Sequence, residues 1–345
     1  MNASQTLDSR LQTPDIGYDA LLVVSFGGPE GMEDVMPFLE NVLRGRNVPR
    51  ERLAGVAKHY ELFGGVSPIN GENRKLIAAL NQELEAKGPR LPIYFGNRNW
   101  HPLLPDTLSK MRDDGVKNAL AFVTSAYSSY SSCRQYLEGI DAARESIGPD
   151  APHVEKLRAF YNHPGFIEAN VANVRAALEQ FPEARRSQAQ IAFTAHSIPE
   201  SMAKNCDYEA QLRETSRLIA DSLDVKDWRL VFQSRSGSPA QPWLGPDVSD
   251  HLRELPQGKD VVLAPIGFVS DHMEIIYDLD TEARTLCQEL GLNMIRAATA
   301  GTHPAFVEMI RELILERIDP ETPRRSLGVD GPRGDVCRPG CCMIR

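Results

Sequence analysis

Short apolar, β-branched runs alternate with longer amphipathic stretches along almost the whole chain. Four such runs occur in each half of the chain, at residues 20–26, 92–97, 118–127, 153–160, 190–196, 228–234, 260–269 and 293–298. Parallel strands need long crossover connections, so strands that alternate with helices predict α/β units with parallel sheets. The two sets of four predict two similar Rossmann-like, doubly wound lobes.

A length of 345 residues is more than one hydrophobic core usually organises, which agrees with two lobes. We predict an N-terminal lobe from residues 18–130 joined by 303–320, and a C-terminal lobe from residues 131–302. Residues 1–17 are expected to be disordered, since they carry no sustained apolar pattern. Residues 321–345 form a tail rich in Pro, Arg and Gly, which cannot build a core of its own.

Composition excludes several classes of function. Hydrophobic residues make up 42% and charged residues 25% of the chain, as in ordinary folded proteins. The net charge of −9 comes with no basic block, which argues against a nucleic-acid partner. No apolar stretch approaches the roughly 18 residues that cross a bilayer, and the first residues do not resemble a leader. We therefore expect a cytoplasmic monomer without an integral membrane segment.

Ligands of open α/β sheets bind beyond the carboxyl ends of the strands, so the residues that follow each strand are the first candidates for a site. His196 ends the fifth run and is followed by Ser197, although a histidine bonded only to backbone is equally common there. After the seventh run, Glu274, Asp278 and Glu282 recur every fourth residue, which predicts three carboxylates on one face of a helix. Such a row is ordinarily a solvated acidic face, but in a cleft it could bind or conduct a divalent cation.

An imidazole beside a carboxylate can remove N–H protons from a ring and receive a metal ion, which are the two events of porphyrin metallation. Five motifs point the same way and occur in a fixed order: SFGGPE, HYELFGGVSPI, FTAHSIPE, PWLGPDV and GFVSDHMEIIYDLD. They resemble the ferrochelatases over residues 19–318. The resemblance implies two four-stranded lobes that close over a porphyrin cleft, and a lyase of haem biosynthesis that inserts Fe²⁺ into a porphyrin.

The resemblance also implies roles for individual residues. His196 and Glu274 match the catalytic pair that takes pyrrole protons and receives the substrate iron, with Asp278 and Glu282 as a metal or proton path. Family members place Tyr or Met after the first strand, whereas this chain has Phe26, which cannot ligate iron, so we expect water or no ligand on that face. Positions that match donors to the porphyrin propionates are Arg44, Ser67 and Tyr136, with Arg46 and His59 nearby. Aromatic and apolar residues expected near the ring, or in the core, are Trp243, Leu244 and Trp100.

Three of the six cysteines fall within the last nine residues, which indicates a metal site and not a disulfide framework. This tail resembles that of the ferrochelatases that bind a [2Fe-2S] cluster through one internal and three C-terminal cysteines. The resemblance implies the ligands Cys133, Cys337, Cys341 and Cys342, with one of the adjacent pair as a possible spectator and zinc as the alternative metal. Cys206 is left without a role, and the apolar setting of Cys287 predicts a place in the core.

The segment between the first helix and GGVSP lacks the longer apolar insert of membrane-associated relatives. We therefore expect coproporphyrin III as the substrate, since its four propionates make it more water-soluble than protoporphyrin IX, the alternative. A sirohydrochlorin chelatase for cobalt or iron, and a non-enzymatic haem-binding or iron–sulfur sensor protein, stay open. A nucleotide-binding Rossmann protein is disfavoured because no GxGxxG follows the first strand. An iron donor or a downstream haem-pathway enzyme is the expected protein partner.

Overall fold

A computed structural model of the chain describes residues 17–45, 50–236, 241–337 and 340–342. The predicted disordered start, residues 1–17, lies outside this part of the chain except for Gly17. Eight strands lie where the sequence predicts them: β1 (Ala20–Ser25), β2 (Ile93–Asn97), β3 (Asn118–Val123), β4 (His153–Lys156), β5 (Gln190–His196), β6 (Trp228–Gln233), β7 (Asp260–Ala264) and β8 (Asn293–Arg296).

Helices connect the strands throughout the described residues. The α-helices are α1 (Met32–Val42), α2 (Arg50–Glu61), α3 (Ile69–Lys87), α4 (Leu104–Asp113), α5 (Gln135–Ile147), α6 (Pro164–Leu178), α7 (Glu183–Arg186), α8 (Glu200–Ala203), α9 (Tyr208–Ser222), α10 (Val248–Glu254), α11 (Met273–Tyr277), α12 (Arg284–Leu290) and α13 (Pro304–Ile318). Two π-helical segments, Tyr130–Arg134 and Asp278–Ala283, run directly into α5 and α12. None of the described helices combines the length and apolarity needed to cross a membrane.

The strands form two parallel four-stranded sheets with the same internal order, β2-β1-β3-β4 and β6-β5-β7-β8. The predicted α/β fold with two Rossmann-like lobes is confirmed. β4 pairs with β3 in the first sheet, so this sheet extends past the boundary predicted at residue 130. The boundary was wrong because the extent of a lobe depends on which strands hydrogen-bond to each other in one sheet. The apolar pattern of a short strand does not show which sheet the strand joins.

Helices cover both faces of the central strands, which explains why these strands are apolar without alternation. All six residues of β1 are buried, and α3 packs Leu76, Leu80 and Leu84, spaced by four, in one core cluster with β1. The same cluster includes Phe193 of β5, so the two lobes share apolar packing. A buried hydrogen bond of 2.9 Å from Tyr127 Oη to Ile266 O also joins them.

The Pro- and Gly-rich tail lies against the core although it has few apolar residues of its own. The Arg158 guanidinium, buried beside Glu316, donates to Arg325 O at 2.8 Å. The Asn162 side-chain amide donates to Leu327 O at 3.2 Å and to Gly331 O at 2.9 Å. Buried side chains of the core thus satisfy the tail backbone and order it.

Candidate active site

His196 and Glu274 meet at the point where the strand order of the second sheet reverses. His196 is the last residue of β5, and Glu274 lies in the first turn of α11, shortly after β7. β5 and β7 are neighbours in the sheet, and their connections leave in opposite directions, which opens a crevice at their carboxyl ends. The structure brings the two predicted residues together, with His196 Nε2 3.4 Å from Glu274 Oε1.

Backbone contacts fix the orientation of the His196 imidazole. Its Nδ1 forms a hydrogen bond with Ser197 O, and because a carbonyl can only accept, Nδ1 carries a proton. Tyr208 Oη donates to His196 O at 3.0 Å, and Ser197 N donates to Gln233 O at 2.8 Å. Nε2 is therefore the nitrogen that faces Glu274 and any substrate.

Glu274 contacts a second imidazole that the sequence analysis did not assign. His272 Nε2 lies 3.3 Å from Glu274 Oε2, so each carboxylate oxygen has one imidazole partner. His272 precedes α11 in an extended conformation, with φ of −156°, and this lets residues two apart in sequence turn toward each other. The DHMEII motif places His272 and Glu274 two residues apart, which could have indicated this contact. A helical interpretation of the motif does not predict it, because residues two apart do not face each other within a helix.

The imidazole and carboxylate stabilise each other's charged forms. Burial alone lowers the pKa of His196, but the adjacent Glu274 carboxylate outweighs it and raises the pKa to about 9. Burial alone raises the pKa of Glu274, but the charge of His196 and its hydrogen bonds with His196 and His272 bring the pKa well below the ordinary value. The His196 side chain is 31% exposed and that of Glu274 40%, so solvent screens the pair and reduces its strength.

Asp278 lies four residues after Glu274, at the start of the second π-helical segment, and side chains at the end of β6 contact it. Ser234 Oγ donates to Asp278 Oδ2, and Gln233 Nε2 lies 3.4 Å from the same oxygen. Gln233 Nε2 also donates to Glu274 O at 2.9 Å. Burial, together with the nearby Glu274 charge, raises the pKa of Asp278 to about 7. Ser234 has φ of 61°, a left-handed conformation that is costly for serine and is found mainly at functional sites. Ser234 was not predicted. It directly follows strand β6, at a strand end where parallel sheets bind ligands, and this position was the signal that could have identified it.

Glu274, Asp278 and Glu282 were predicted to lie on one face of a helix, and the structure differs from this prediction at Glu282. The segment turns from α11 into the π-helix Asp278–Ala283, so a strict spacing of four does not keep one face. Glu282 is exposed and hydrogen-bonds with Tyr277. His59 of α2 stacks on the Tyr277 ring with centroids 3.7 Å apart, and this stack joins the first lobe to the second.

An apolar cluster from both lobes flanks the His196–Glu274 pair. Phe38 is its centre, with ring centroids 6.3 Å from Phe26 and 6.2 Å from Trp100. Met273, next to Glu274, belongs to the same cluster. Tyr60 of α2 belongs to this cluster too, and burial together with the Glu274 charge raises its pKa. The cluster supplies an apolar surface beside a polar pair, as a flat aromatic ligand requires.

The predicted propionate donors have differing surroundings. Arg44 is exposed just beyond α1, whereas Arg46 lies outside the described residues. Ser67 is buried in the loop before α3, and Tyr136 is buried in the core under the Arg98 guanidinium, which lies 4.8 Å from the ring centroid. Arg44, Ser67 and Tyr136, all within the described part of the chain, make no hydrogen bond or ion pair with His196 or Glu274.

Trp243 and Leu244 are half-buried next to the strand end that carries His196. Trp243 pairs with Pro199 in an isolated β-bridge, and Leu244 O accepts a hydrogen bond of 2.8 Å from Ser197 Oγ. The Nε1–H of Trp243 is buried and has no hydrogen-bond partner among the described residues. A surface depression of about 440 Å³ lies elsewhere, between α4 and α5, and none of the predicted site residues lines it.

Four predicted metal-ligating cysteines lie near one another at the edge of the first lobe. Cys341 Sγ is 3.4 Å from Cys342 Sγ. Cys133, in the first π-helical segment, hydrogen-bonds with Cys337, and this bond together with burial raises the pKa of Cys133. The thiols thus form two close pairs. Among the described residues, no three His, Cys, Asp or Glu side chains are arranged around one point as a single metal ion requires. Cys287 lies in the core, as its apolar setting predicts.

Comparisons with known proteins agree with the motifs. A family model described as ferrochelatase matches residues 18–318. A protein named ferrochelatase from Rhodopirellula baltica is 57% identical over 329 residues, which cover 94% of this chain and 93% of the relative. A protein named coproporphyrin III ferrochelatase from Nocardia farcinica is 51% identical, and the alignment covers 94% of this chain and 96% of the relative.

A solved structure gives an independent view of the fold. The cobalt complex of the sirohydrochlorin chelatase from Bacillus subtilis subspecies spizizenii matches with a TM-score of 0.53, over 88% of this chain and 97% of that one. The sequences are 12% identical, so this likeness shows the fold alone. The family model and the identity to curated relatives over nearly the whole length carry the assignment: this chain belongs to the ferrochelatase family.

Proposed function

We propose that this chain inserts Fe²⁺ into coproporphyrin III to give coprohaem, with His196 and Glu274 as the residues that act on the macrocycle. The observation that carries the proposal is the 3.4 Å approach of His196 Nε2 to Glu274 Oε1 at the switch point of the second sheet, beside an apolar cluster. A base and an anionic oxygen side by side can accept a pyrrole proton and receive the divalent ion that replaces it. The relatives named coproporphyrin III ferrochelatase, 44–51% identical, support the choice of porphyrin.

The mechanism begins with the proton that His196 holds. Because Glu274 raises the pKa of His196, Nε2 is protonated in the free protein and cannot bind iron or accept a pyrrole proton. The positive charge of the approaching Fe²⁺ would weaken the hold of His196 on this proton, and Asp278, near both side chains and with a pKa raised to about 7, would take it. Glu282, at the exposed end of the π-helix, passes it to solvent. Each of the two pyrrole protons then leaves by the same route as Fe²⁺ enters the ring.

The test is anaerobic, steady-state iron insertion with coproporphyrin III and with protoporphyrin IX. We expect a higher kcat/KM for coproporphyrin III, and loss of insertion in His196→Ala while the porphyrin still binds. His153→Ala is the matched control, since His153 is exposed at the start of β4 and far along the chain from the site. Near-normal turnover of His196→Ala would refute the catalytic assignment, and equal or reversed preference would refute the choice of porphyrin.

We also propose that Cys133, Cys337, Cys341 and Cys342 hold a [2Fe-2S] cluster. In a [2Fe-2S] cluster each iron binds two thiolates. The pairing of Cys133 with Cys337 and of Cys341 with Cys342 is consistent with that arrangement. Zn²⁺ bound by four sulfurs is the alternative. When bound, the cluster would supply a one-electron redox centre, although insertion of ferrous iron needs no electron.

The cluster is tested separately from the chelatase activity. Protein prepared anaerobically should contain two irons and two acid-labile sulfides per chain, with visible absorption bands that Cys133→Ser abolishes. Cys287→Ser is the control, because Cys287 lies in the core away from the tail. Zinc in place of iron and sulfide would reject the two-iron cluster and favour the alternative metal.

A further inference from the structure

Arg296 contacts both ends of the segment that carries the acidic half of the candidate site. It is the last residue of β8, and its side chain is 16% exposed. It forms ion pairs with Asp271 and with Asp280. These two aspartates bracket residues 272–279, the stretch that includes Glu274 and the second imidazole beside it. Arg296 can therefore control the shape of this stretch.

Three nitrogens of the Arg296 guanidinium bond with the two carboxylates. Nη1 donates to Asp271 Oδ1 at 3.2 Å, and Nη2 donates to Asp271 Oδ2 at 2.9 Å. Nε donates to the two oxygens of Asp280, at 2.8 Å and 3.0 Å. The guanidinium is planar and its N–H groups point in fixed directions. These bonds therefore set both the separation and the relative orientation of the two carboxylates.

Two further side chains hold the Asp271 end of the segment in place. Thr299 Oγ1 donates to Asp271 Oδ1 at 3.1 Å. The side-chain amide of Asn173, on α6, donates to Thr299 O at 2.8 Å. Most of the apolar residues of α6 lie in the main core cluster. This end of the segment is thus connected to the rigid interior of the protein.

The stretch between the two aspartates has little stability of its own. α11 is five residues long and continues into a π-helix, and such short or widened turns are marginal without external contacts. Glu274, Asp278 and Glu282 also follow one another at a spacing of four, where like charges destabilise a helix. The Arg296 cation, bonded to Asp280 within the π-helix, offsets part of this repulsion.

We propose that Arg296 is a positioning residue for iron insertion, which holds both ends of the segment that presents His272 and Glu274. The inference deepens the proposed function and rests on it. His272 Nε2 lies 3.3 Å from Glu274 Oε2, and this contact depends on the extended backbone of His272, the residue that follows Asp271. The effect of Arg296 on the reaction therefore passes through His272.

A double-mutant cycle in steady-state iron insertion tests this role. We expect Arg296→Gln to lower kcat/KM for iron about 10- to 100-fold, while the KM for coproporphyrin III stays within about twofold of wild type. Because Arg296 acts through His272, Arg296→Gln/His272→Ala should lose less than about threefold beyond His272→Ala alone. Arg284→Gln is the matched control, since exposed Arg284 bonds with Asp280 from the solvent side, and its kcat/KM should stay within about twofold of wild type.

Hydrogen exchange measures the same role without turnover. In Arg296→Gln, the backbone amides of residues 273–280 should exchange at least about tenfold faster than in wild type, whereas those of β5 should change by less than about twofold. Asp271→Asn replaces Arg296→Gln if the latter does not fold, because it weakens one of the two contacts and leaves Arg296 bonded to Asp280. The same results are expected of it.

Three results overturn the positioning role: an unchanged kcat/KM in Arg296→Gln, additive losses in the double-mutant cycle, or equal acceleration of exchange in β5 and in residues 273–280. The cycle also distinguishes this inference from the proposed function. A wild-type protein that inserts no iron rejects both, whereas an active wild type with an unaffected Arg296→Gln rejects the positioning role alone.

Discussion

Glu274 has an imidazole on each carboxylate oxygen, and this double contact fixes the plane in which the carboxylate lies. His196 is 3.4 Å from Oε1 and His272 is 3.3 Å from Oε2. His196 lies at the strand end, whereas His272 precedes the helix that carries Glu274. His272 therefore acts through Glu274 as a positioning residue, and it helps to keep the carboxylate charged.

His272→Ala should reduce kcat/KM for iron by about 10- to 100-fold, the usual effect of removing a partner of a metal-binding side chain. Without the His272 hydrogen bond, the pKa of Glu274 rises, so the acid limb of the pH profile should move to higher pH. His272→Asn, which keeps an N–H donor, should recover part of both effects. An unchanged acid limb in His272→Ala would show that His272 only supports the fold.

Asp278→Asn should change the pH dependence of stability. Burial and the Glu274 charge raise the pKa of Asp278 from 3.8 to about 7, so between these values the folded protein keeps a proton that the unfolded chain has released. The contribution of Asp278 to stability is therefore present below pH 3.8 and is lost as the pH rises to about 7. The melting temperature of Asp278→Asn, relative to wild type, should increase from pH 4 to pH 8. Exposed Glu289→Gln is the control, and a constant difference across this range would contradict the assignment.

The sequence predicted the main pair of the site but not its partners. His196 and Glu274 were accessible because parallel sheets bind ligands where strands end, and each follows a clear apolar run. His272 could not be predicted in the same way, because its contact with Glu274 depends on the extended backbone conformation of His272 itself, just before α11. The left-handed backbone of Ser234, which aims its hydroxyl at Asp278, has no signature in a serine side chain.

The π-helix after α11 decides which acids reach the site. Asp278 begins this segment and bonds with Ser234, whereas Glu282, near its end, is exposed beside Tyr277. The spacing of four between the acidic residues predicts that they lie on a helix. It does not predict that the helix widens into a π-helix at Asp278. The positions of the eight strands were more accessible, since each starts at or next to the predicted residue, although β3, β4 and β7 end four or five residues before the predicted end.

A buried ion pair between Arg158 and Glu316 joins the segment after β4 to α13. Both side chains are 1% exposed, and Arg158 Nε lies 2.6 Å from Glu316 Oε2. Glu316→Gln leaves the guanidinium without its counter-charge and should destabilise the protein by about 3–5 kcal/mol in chemical denaturation. Glu308→Gln, in an exposed pair on the same helix, should cost about 0–1 kcal/mol. Similar losses in the two variants would show that Arg158 is satisfied without Glu316.

Both sheets have the same strand order, and shared apolar packing and a buried hydrogen bond hold the two lobes together. The sequence predicted two similar lobes from the two sets of four strands. It did not predict their shared core or the contact of α2 with α11, because patterning identifies a buried face but not the surface that covers it.

His59→Ala should accelerate release of the porphyrin product, because the His59–Tyr277 stack holds α2 of the first lobe against the second lobe. An aromatic pair contributes about 0.5–1.5 kcal/mol, so the dissociation rate should rise by about 2- to 12-fold. Stopped-flow dissociation of the metallated porphyrin measures it, with the exposed neighbour Lys58→Ala as control. An equal rate in the two variants would rule out a role for the stack in retaining product.

The contacts of the tail also set the order in which the protein can mature. The residues that hold the tail, Arg134, Arg158, Asn162 and Asp207, all leave the ribosome well before the tail itself. Both lobes can therefore be complete before Cys337, Cys341 and Cys342 emerge. A nascent chain that stops short of Cys337 lacks these three thiols, although it already carries every side chain that holds the tail.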